Sequence, residues 1–203
     1  MLQYESIPDA VRELLGALSA SAVVEGFALG GGTSLALRFG HRVSVDLDFF
    51  SVNAFDPEEL VTREGFPPKH TVLGRSDGSL TVEINSVKID FLRHDYPLLE
   101  PMELTEGMNL LSLSDVTAMK LNAIVNRGST KDFFDLVRSL EDTRLDSCLD
   151  LFERKYPNTD RFVVIRSLAW FEDAEEEPDP LVPTNLDWED VKVRITQAVE
   201  KLN

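Results

Sequence analysis

One stretch constrains this chain more than any other. Leu29-Gly30-Gly31-Gly32-Thr33-Ser34 is followed, after a short apolar segment, by Ser44-Val45-Asp46-Leu47-Asp48-Phe49-Phe50. Consecutive glycines allow a tight turn whose backbone can be approached closely, and a helix opening from it adds partial positive charge at its first amides. The second segment reads as a strand over residues 44–50, in which side chains two apart share a face. Asp46 and Asp48 then point one way, and Val45, Leu47 and Phe49 the other. At roughly 6 Å and an effective dielectric of about 20, two such carboxylates repel by about 3 kcal/mol. A divalent cation turns that repulsion into attraction. Asp-x-Asp on a strand is often just an exposed polar edge, but Leu47, Phe49 and Phe50 mark this strand as buried and central. The two parts together read as a phosphate cradle feeding a metal site. The glycines form neither a Walker A loop, since no Gly-Lys-Ser/Thr ends the run, nor a Rossmann fingerprint.

The rest of the chain divides at about residue 110. Before it, apolar spacing predicts helices over 8–20, 33–39 (ended by Gly40) and 57–64, the last opened by Asp56-Pro57. Strands are predicted over 23–29, 44–50, 69–73, 79–84 and 87–92. In the last of these Val87, Ile89 and Phe91 alternate with Lys88 and Asp90, which makes Asp90 a candidate third acid beside Asp46 and Asp48. After residue 110 the pattern is helical: 113–127, 131–140, 145–155, 160–171 and 188–202. Lys120 and Arg127, seven apart, share a side of the first of these helices, and Asp132 and Asp135 lie one turn apart on the second. Unequal intervals between strands and helices argue against a doubly wound parallel sheet.

Composition narrows the function. A chain of 203 residues that is 43% hydrophobic has enough material for a sizeable core. It has no long apolar run and no basic-then-apolar start, so a soluble cytoplasmic protein is expected. The single cysteine, Cys148, excludes an internal disulfide and a cysteine-rich zinc site, and its neighbours make it a packing residue of a helix. The net charge of −16 discourages non-specific nucleic-acid binding, so any polyanion would need a local basic groove. Arg38, His41, Arg42, Lys120, Arg127 and Lys131 are its candidates. The acidic run from Glu172 to Pro180 reads as a solvated linker.

These residues carry a family resemblance. Gly30 to Leu37, then His41 to Phe50, resemble the opening motif of AbiEii-type nucleotidyltransferases, within the DNA polymerase β-like nucleotidyltransferase superfamily. Lys88-Ile89-Asp90-Phe91 is similar to that family's third-carboxylate strand. Ala118-Met119-Lys120-Leu121 with Arg127 is similar to its lysine helix. Lys131-Asp132-Phe133-Phe134-Asp135-Leu136 is similar to its Arg-Asp-x-x-Asp-Leu motif, with Lys131 in place of arginine. Four motifs in order across residues 25–140 are more specific than any one of them.

The resemblance implies an α+β fold: a nucleotidyltransferase-like mixed sheet flanked by helices over 1–110, then a helical region over 111–203 that completes the active site. It implies transfer of NMP from an NTP to a hydroxyl of tRNA or protein, with Mg²⁺, two ions, as cofactor. It also implies a toxin of a bacterial toxin–antitoxin or phage-defence pair, with a cognate antitoxin as partner. By the same resemblance Gly31, Gly32, Thr33 and Ser34 hold the triphosphate, and Asp46 and Asp48 bind metal. Asp90 is a metal ligand or the base for the acceptor hydroxyl. Lys120 neutralises phosphate charge, with Arg127 beside it. Asp132 supports the site or acts on the acceptor side, and Asp135 orients its neighbours. Arg42 contacts phosphate or pairs with Asp48. Two competing readings are transfer to a cationic small molecule such as an aminoglycoside, and a protein that binds nucleotide or a partner without turnover.

Overall fold

The computed structural model describes residues 1–202. The chain divides into two compact units: residues 1–97 with 101–112, and residues 98–100 with those from Leu113 onward.

In the first unit, helix α1 (Asp9–Ser19) buries Val11, Leu14, Leu15 and Leu18, the helical stripe of the sequence. Strand β1 is only Ala28–Leu29, shorter than the predicted strand. The reason is local: the Ser21 hydroxyl accepts the Val23 N–H at 3.2 Å and caps a 3₁₀ turn at Ala22–Val24. Helix α2 (Gly31–Phe39) ends on Gly40 in the left-handed region, as its position predicts. Strand β2 (Leu47–Ser51) begins later than expected, so Val45 is exposed on the approach to it and does not face the core with Leu47 and Phe49. Helix α3 (Pro57–Leu60) is a single turn capped by Asp56. Strands β3 (Thr71–Ser76), β4 (Ser79–Ile84) and β5 (Val87–Arg93) follow.

A hairpin that sequence reading did not find, β6 (Glu103–Thr105) and β7 (Met108–Leu110), turns through Glu106 and Gly107, both at positive φ. The sheet order is β3-β4-β5-β2-β1-β7-β6, which puts β2 at the centre, parallel to β5 and antiparallel to β1. On the core face Phe49 and Phe91 stack with ring centres 5.5 Å apart, packed with Leu29, Leu47 and Ile89. The opposite face of the same two strands carries the acids.

The second unit is helical: α4 (Leu113–Asn126), α5 (Thr130–Leu140), α6 (Leu145–Lys155), α7 (Arg161–Leu168) and α8 (Trp188–Glu200). Its core joins Phe133, Phe134 and Leu136 to Leu149, Phe152, Val191 and Ile195, and Trp188 packs edge-on against Phe133 and Phe171. Cys148 is buried here, and desolvation pushes its thiol up to about 12, which keeps it an unreactive packing residue. The acidic segment is not simply a solvated linker. Ala174 is buried, and the Glu177 carboxylate accepts the Ser129 hydroxyl at 2.5 Å and the Thr130 N–H at 3.0 Å. Glu177 therefore caps α5 from a distance, where Ser129 and Thr130 supply no cap of their own. Among the described residues no helix is long and apolar enough to cross a membrane. The α+β expectation, a mixed sheet followed by helices, holds.

Candidate active site

The glycine turn and β2 form one object. The Gly30 N–H donates to the Asp48 carbonyl at 2.9 Å, and a Cβ at Gly30 would stand 2.7 Å from the Phe50 ring. Gly31 has a φ of +59°, and a Cβ there would lie 2.1 Å from Asp48 Oδ2. A side chain at 31 would occupy the place of the Asp48 carboxylate. The carboxylate is thereby seated at the first turn of α2, whose leading amides lack intrahelical acceptors and favour negative charge.

Two residues assigned to phosphate by resemblance face inward instead. Thr33 is buried; its hydroxyl donates to the Asp46 carbonyl oxygen and lies 2.8 Å from Ser44 Oγ. Ser34 is buried too, and donates back to the Gly31 carbonyl at 3.1 Å. Rotation along α2 turns both hydroxyls away from the helix mouth, so Thr33 acts as a strut that fixes the segment bearing Asp46. Gly32 is buried in the same first turn. Arg42 is buried and donates to the Val43 carbonyl at 3.0 Å. Arg38 pairs with Glu103 and the Leu111 carbonyl, which ties it to the β6–β7 hairpin instead of a basic groove.

The parallel pairing of β2 with β5 sets Asp48 directly beside Asp90, and β4 sets Thr81 beside Asp90 on the other side. Asp90 is held at both oxygens: the Thr81 hydroxyl donates to Oδ1 at 2.5 Å, and the Lys88 ammonium to Oδ2 at 2.6 Å. Lys88 is two residues before Asp90 and shares its face. Its ammonium is raised above the ordinary lysine value, first by the Asp90 hydrogen bond, with burial opposing, and then by the charges of Asp90, Asp46 and Asp48. All three acids thus act on one cation. Among the described residues no group of three or more His, Cys, Asp or Glu side chains is drawn together as a finished metal cage. The acids fit a divalent ion on two grounds. The donors are hard carboxylate oxygens, and a positive charge already stands among them. Farther along the same face, Phe50, His94 and Tyr96 form a row of rings with centres 6.1 and 5.3 Å apart.

The motif residues of the second unit form a buried ion network. The Lys120 ammonium donates to Asp132 Oδ1 at 2.8 Å and pairs with Asp135 Oδ2 at 2.7 Å, and both aspartates are fully buried. Arg127 grips Asp132 with two bonds, Nε to Oδ2 at 2.9 Å and a terminal nitrogen to Oδ1 at 3.1 Å, while its own side chain is 57% exposed. Burial raises the Asp132 carboxyl, but the Lys120 charge and the Arg127 bonds outweigh it and hold the group below 3.8. Sequence spacing anticipated that Lys120 and Arg127 share a helix side, but not that Lys120 would be buried between two aspartates. A second buried pair was not anticipated: Lys155 donates to Asp115 at 2.6 Å with neither side chain exposed, and Asp115 also accepts the Leu99 and Glu100 amides. The importance of Lys88 was readable from its two-residue spacing to Asp90; that of Thr81 needed the strand register.

The family model described as "Nucleotidyl transferase AbiEii toxin, Type IV TA system" matches residues 13–66 and 58–201. An uncharacterized Aquifex aeolicus protein, aq_aa25, is 34% identical over 172 residues, covering 82% of this chain and 84% of the relative. Among solved structures, the nucleotidyltransferase toxin MenT4 of Mycobacterium tuberculosis H37Rv superposes with a TM-score of 0.62 at 16% identity, over 97% of this chain and 83% of MenT4. JHP933 of Helicobacter pylori gives 0.56 at 18% identity, over 100% and 95%. At such identities these two show the shared fold. Because that family model matches well over half of the chain, the chain belongs to the AbiEii family of nucleotidyltransferase toxins.

Proposed function

We propose that this nucleotidyltransferase moves NMP from an NTP onto a hydroxyl of RNA or protein, with Mg²⁺ held by Asp46, Asp48 and Asp90. One observation carries the reading: Asp48 and Asp90 stand side by side on the central strands, with Asp48 seated where Gly31 leaves room for it. When bound, the divalent cation supplies neutralisation of triphosphate and pyrophosphate charge and lowers the barrier to ionising the acceptor hydroxyl. The chain's own residues fix the geometry. Gly31 and Gly32 present first-turn amides to the triphosphate, and the Thr33 strut keeps Asp46 in register with Asp48. Thr81 fixes the plane of the Asp90 carboxyl. In the second unit Lys120 orients Asp132 and Asp135, and Asp132 in turn presents the exposed Arg127 guanidinium to an anionic ligand. A cognate antitoxin and a role in phage defence belong to the same proposal, as the biological setting of a family of toxins.

A second acceptor class is favoured by one property. The net charge of −16 suits a cationic small molecule better than a polyanion. One experiment covers both: each labelled NTP with Mg²⁺ and either total tRNA, protein extract or aminoglycosides, beside Asp46→Ala and Asp48→Ala. Label on RNA or protein that both variants lose supports the reading. Label on aminoglycosides alone moves the acceptor to the second class. Label that survives in both variants removes the carboxylates from the chemistry, and NTP binding without transfer to any acceptor makes the chain a binding protein.

A further inference from the structure

Lys88 belongs to none of the roles above, yet its ammonium is bonded directly to one of the three acids. The ammonium lies 2.6 Å from Asp90 Oδ2, on a side chain 48% exposed, whereas the Asp90 side chain is 13% exposed. The other Asp90 oxygen is held by Thr81, whose place opposite Asp90 is fixed by strand pairing. Each carboxylate oxygen has a second lone pair, but a cation taken up at Oδ2 would stand beside the Lys88 ammonium, and the repulsion between them acts on the more mobile of the two partners. Thr81 is locked in the sheet by its short side chain. Lys88 sits at the end of a flexible four-carbon stem and is strongly drawn to water. It also has somewhere to go: Glu83 lies directly across from Lys88 on β4, so the two share a face at the distance where opposite charges pair.

We propose that Lys88 is a tethered counter-ion of the Asp46, Asp48 and Asp90 row, which a divalent cation displaces, so that Lys88 sets how tightly the enzyme holds its metal. The inference rests on the metal reading above. In the absence of the ion Lys88 offsets the mutual repulsion of the acids and keeps Asp90 in place. When the ion arrives, the ammonium is repelled toward Glu83 and solvent. Lys88 is thus a positioning residue, and its charge opposes the ion it prepares the site for.

The test measures metal binding directly. Mn²⁺ serves as the probe, and its free concentration is read by electron paramagnetic resonance in titrations of the full chain without nucleotide. Lys88→Met and Lys88→Gln remove the charge, Lys88→Arg keeps it, and Asp48→Asn is the control for the metal site; far-UV circular dichroism checks that each is folded. The expected result is Mn²⁺ affinity increased on the order of tenfold in folded Lys88→Met or Lys88→Gln, from loss of cation–ammonium repulsion at close range, with Lys88→Arg near wild type. Affinity unchanged or weakened in the neutral variants, with Asp48→Asn still losing the ion, overturns the role of Lys88 alone. Equal binding by wild type and Asp48→Asn overturns the metal reading itself.

Discussion

At the scale of single residues, the site depends on one missing methyl group. Gly31 combines a left-handed φ with a Cβ position that would overlap Asp48 Oδ2. Gly31→Ala should lose about 1–2 kcal/mol in urea unfolding from its backbone conformation alone. It should also lose Mn²⁺ binding, because the Asp48 carboxylate must move; binding at the wild-type level would show that this approach is not required. Asp132 makes a separate prediction about pH. Its carboxyl is held below 3.8 in the folded chain, so its stabilising effect is complete above that value and disappears as pH falls through the lower folded one. Asp132→Asn should therefore be less stable than wild type by about 3–5 kcal/mol, the cost of breaking a buried ion pair. That gap should stay flat from neutral pH to about pH 4, near the unperturbed carboxyl value, and close below it. A gap already closing near pH 6 in urea titrations would contradict the assignment.

Secondary-structure elements depend on contacts that vary in how visible they are from sequence. The α1 stripe, the Gly40 stop and the β4–β5 alternation were readable because each is local and periodic. The β6–β7 hairpin was not: three-residue strands carry little periodicity, and a Glu106-Gly107 turn lacks the usual Asn-Gly signal. The hydroxyl partners of Thr33 were hidden for a related reason, since its position in a motif does not reveal which way α2 turns its side chain. Composition was equally blind to Glu177, whose partners Ser129 and Thr130 lie far away in sequence. Its cap gives α5 a testable dependence on the acidic segment. Glu177→Ala should cost about 1 kcal/mol of stability, and Glu177→Gln, which keeps an acceptor oxygen, should recover most of it. Equal losses in both variants, measured by urea midpoints, would show that charge and not capping is what counts.

Across the whole molecule, the two units can be followed by different probes. Both tryptophans, Trp170 and Trp188, belong to the helical unit, so their emission reports its unfolding, while far-UV circular dichroism reports both units. Asp115→Asn leaves the fully buried Lys155 ammonium without its charge partner and should destabilise the helical unit by about 3–5 kcal/mol. The tryptophan-detected midpoint should drop accordingly; an unchanged midpoint would mean that this pair adds no stability. Sheet order determines something more: when activity can begin. Parallel pairing of β2 with β5 joins strands separated by α3 and two intervening strands, and β1 then awaits β7 beyond them. Such distant closures form late, because the chain between them must first be made and folded. A ribosome that has released only the glycine turn and Asp48 has made half a centre, with no Asp90 beside it. If the acids do the chemistry proposed above, a chain ended before β5 lacks Asp90, and one ended before β7 leaves β1 with only one of its two neighbours, so neither carries a complete centre.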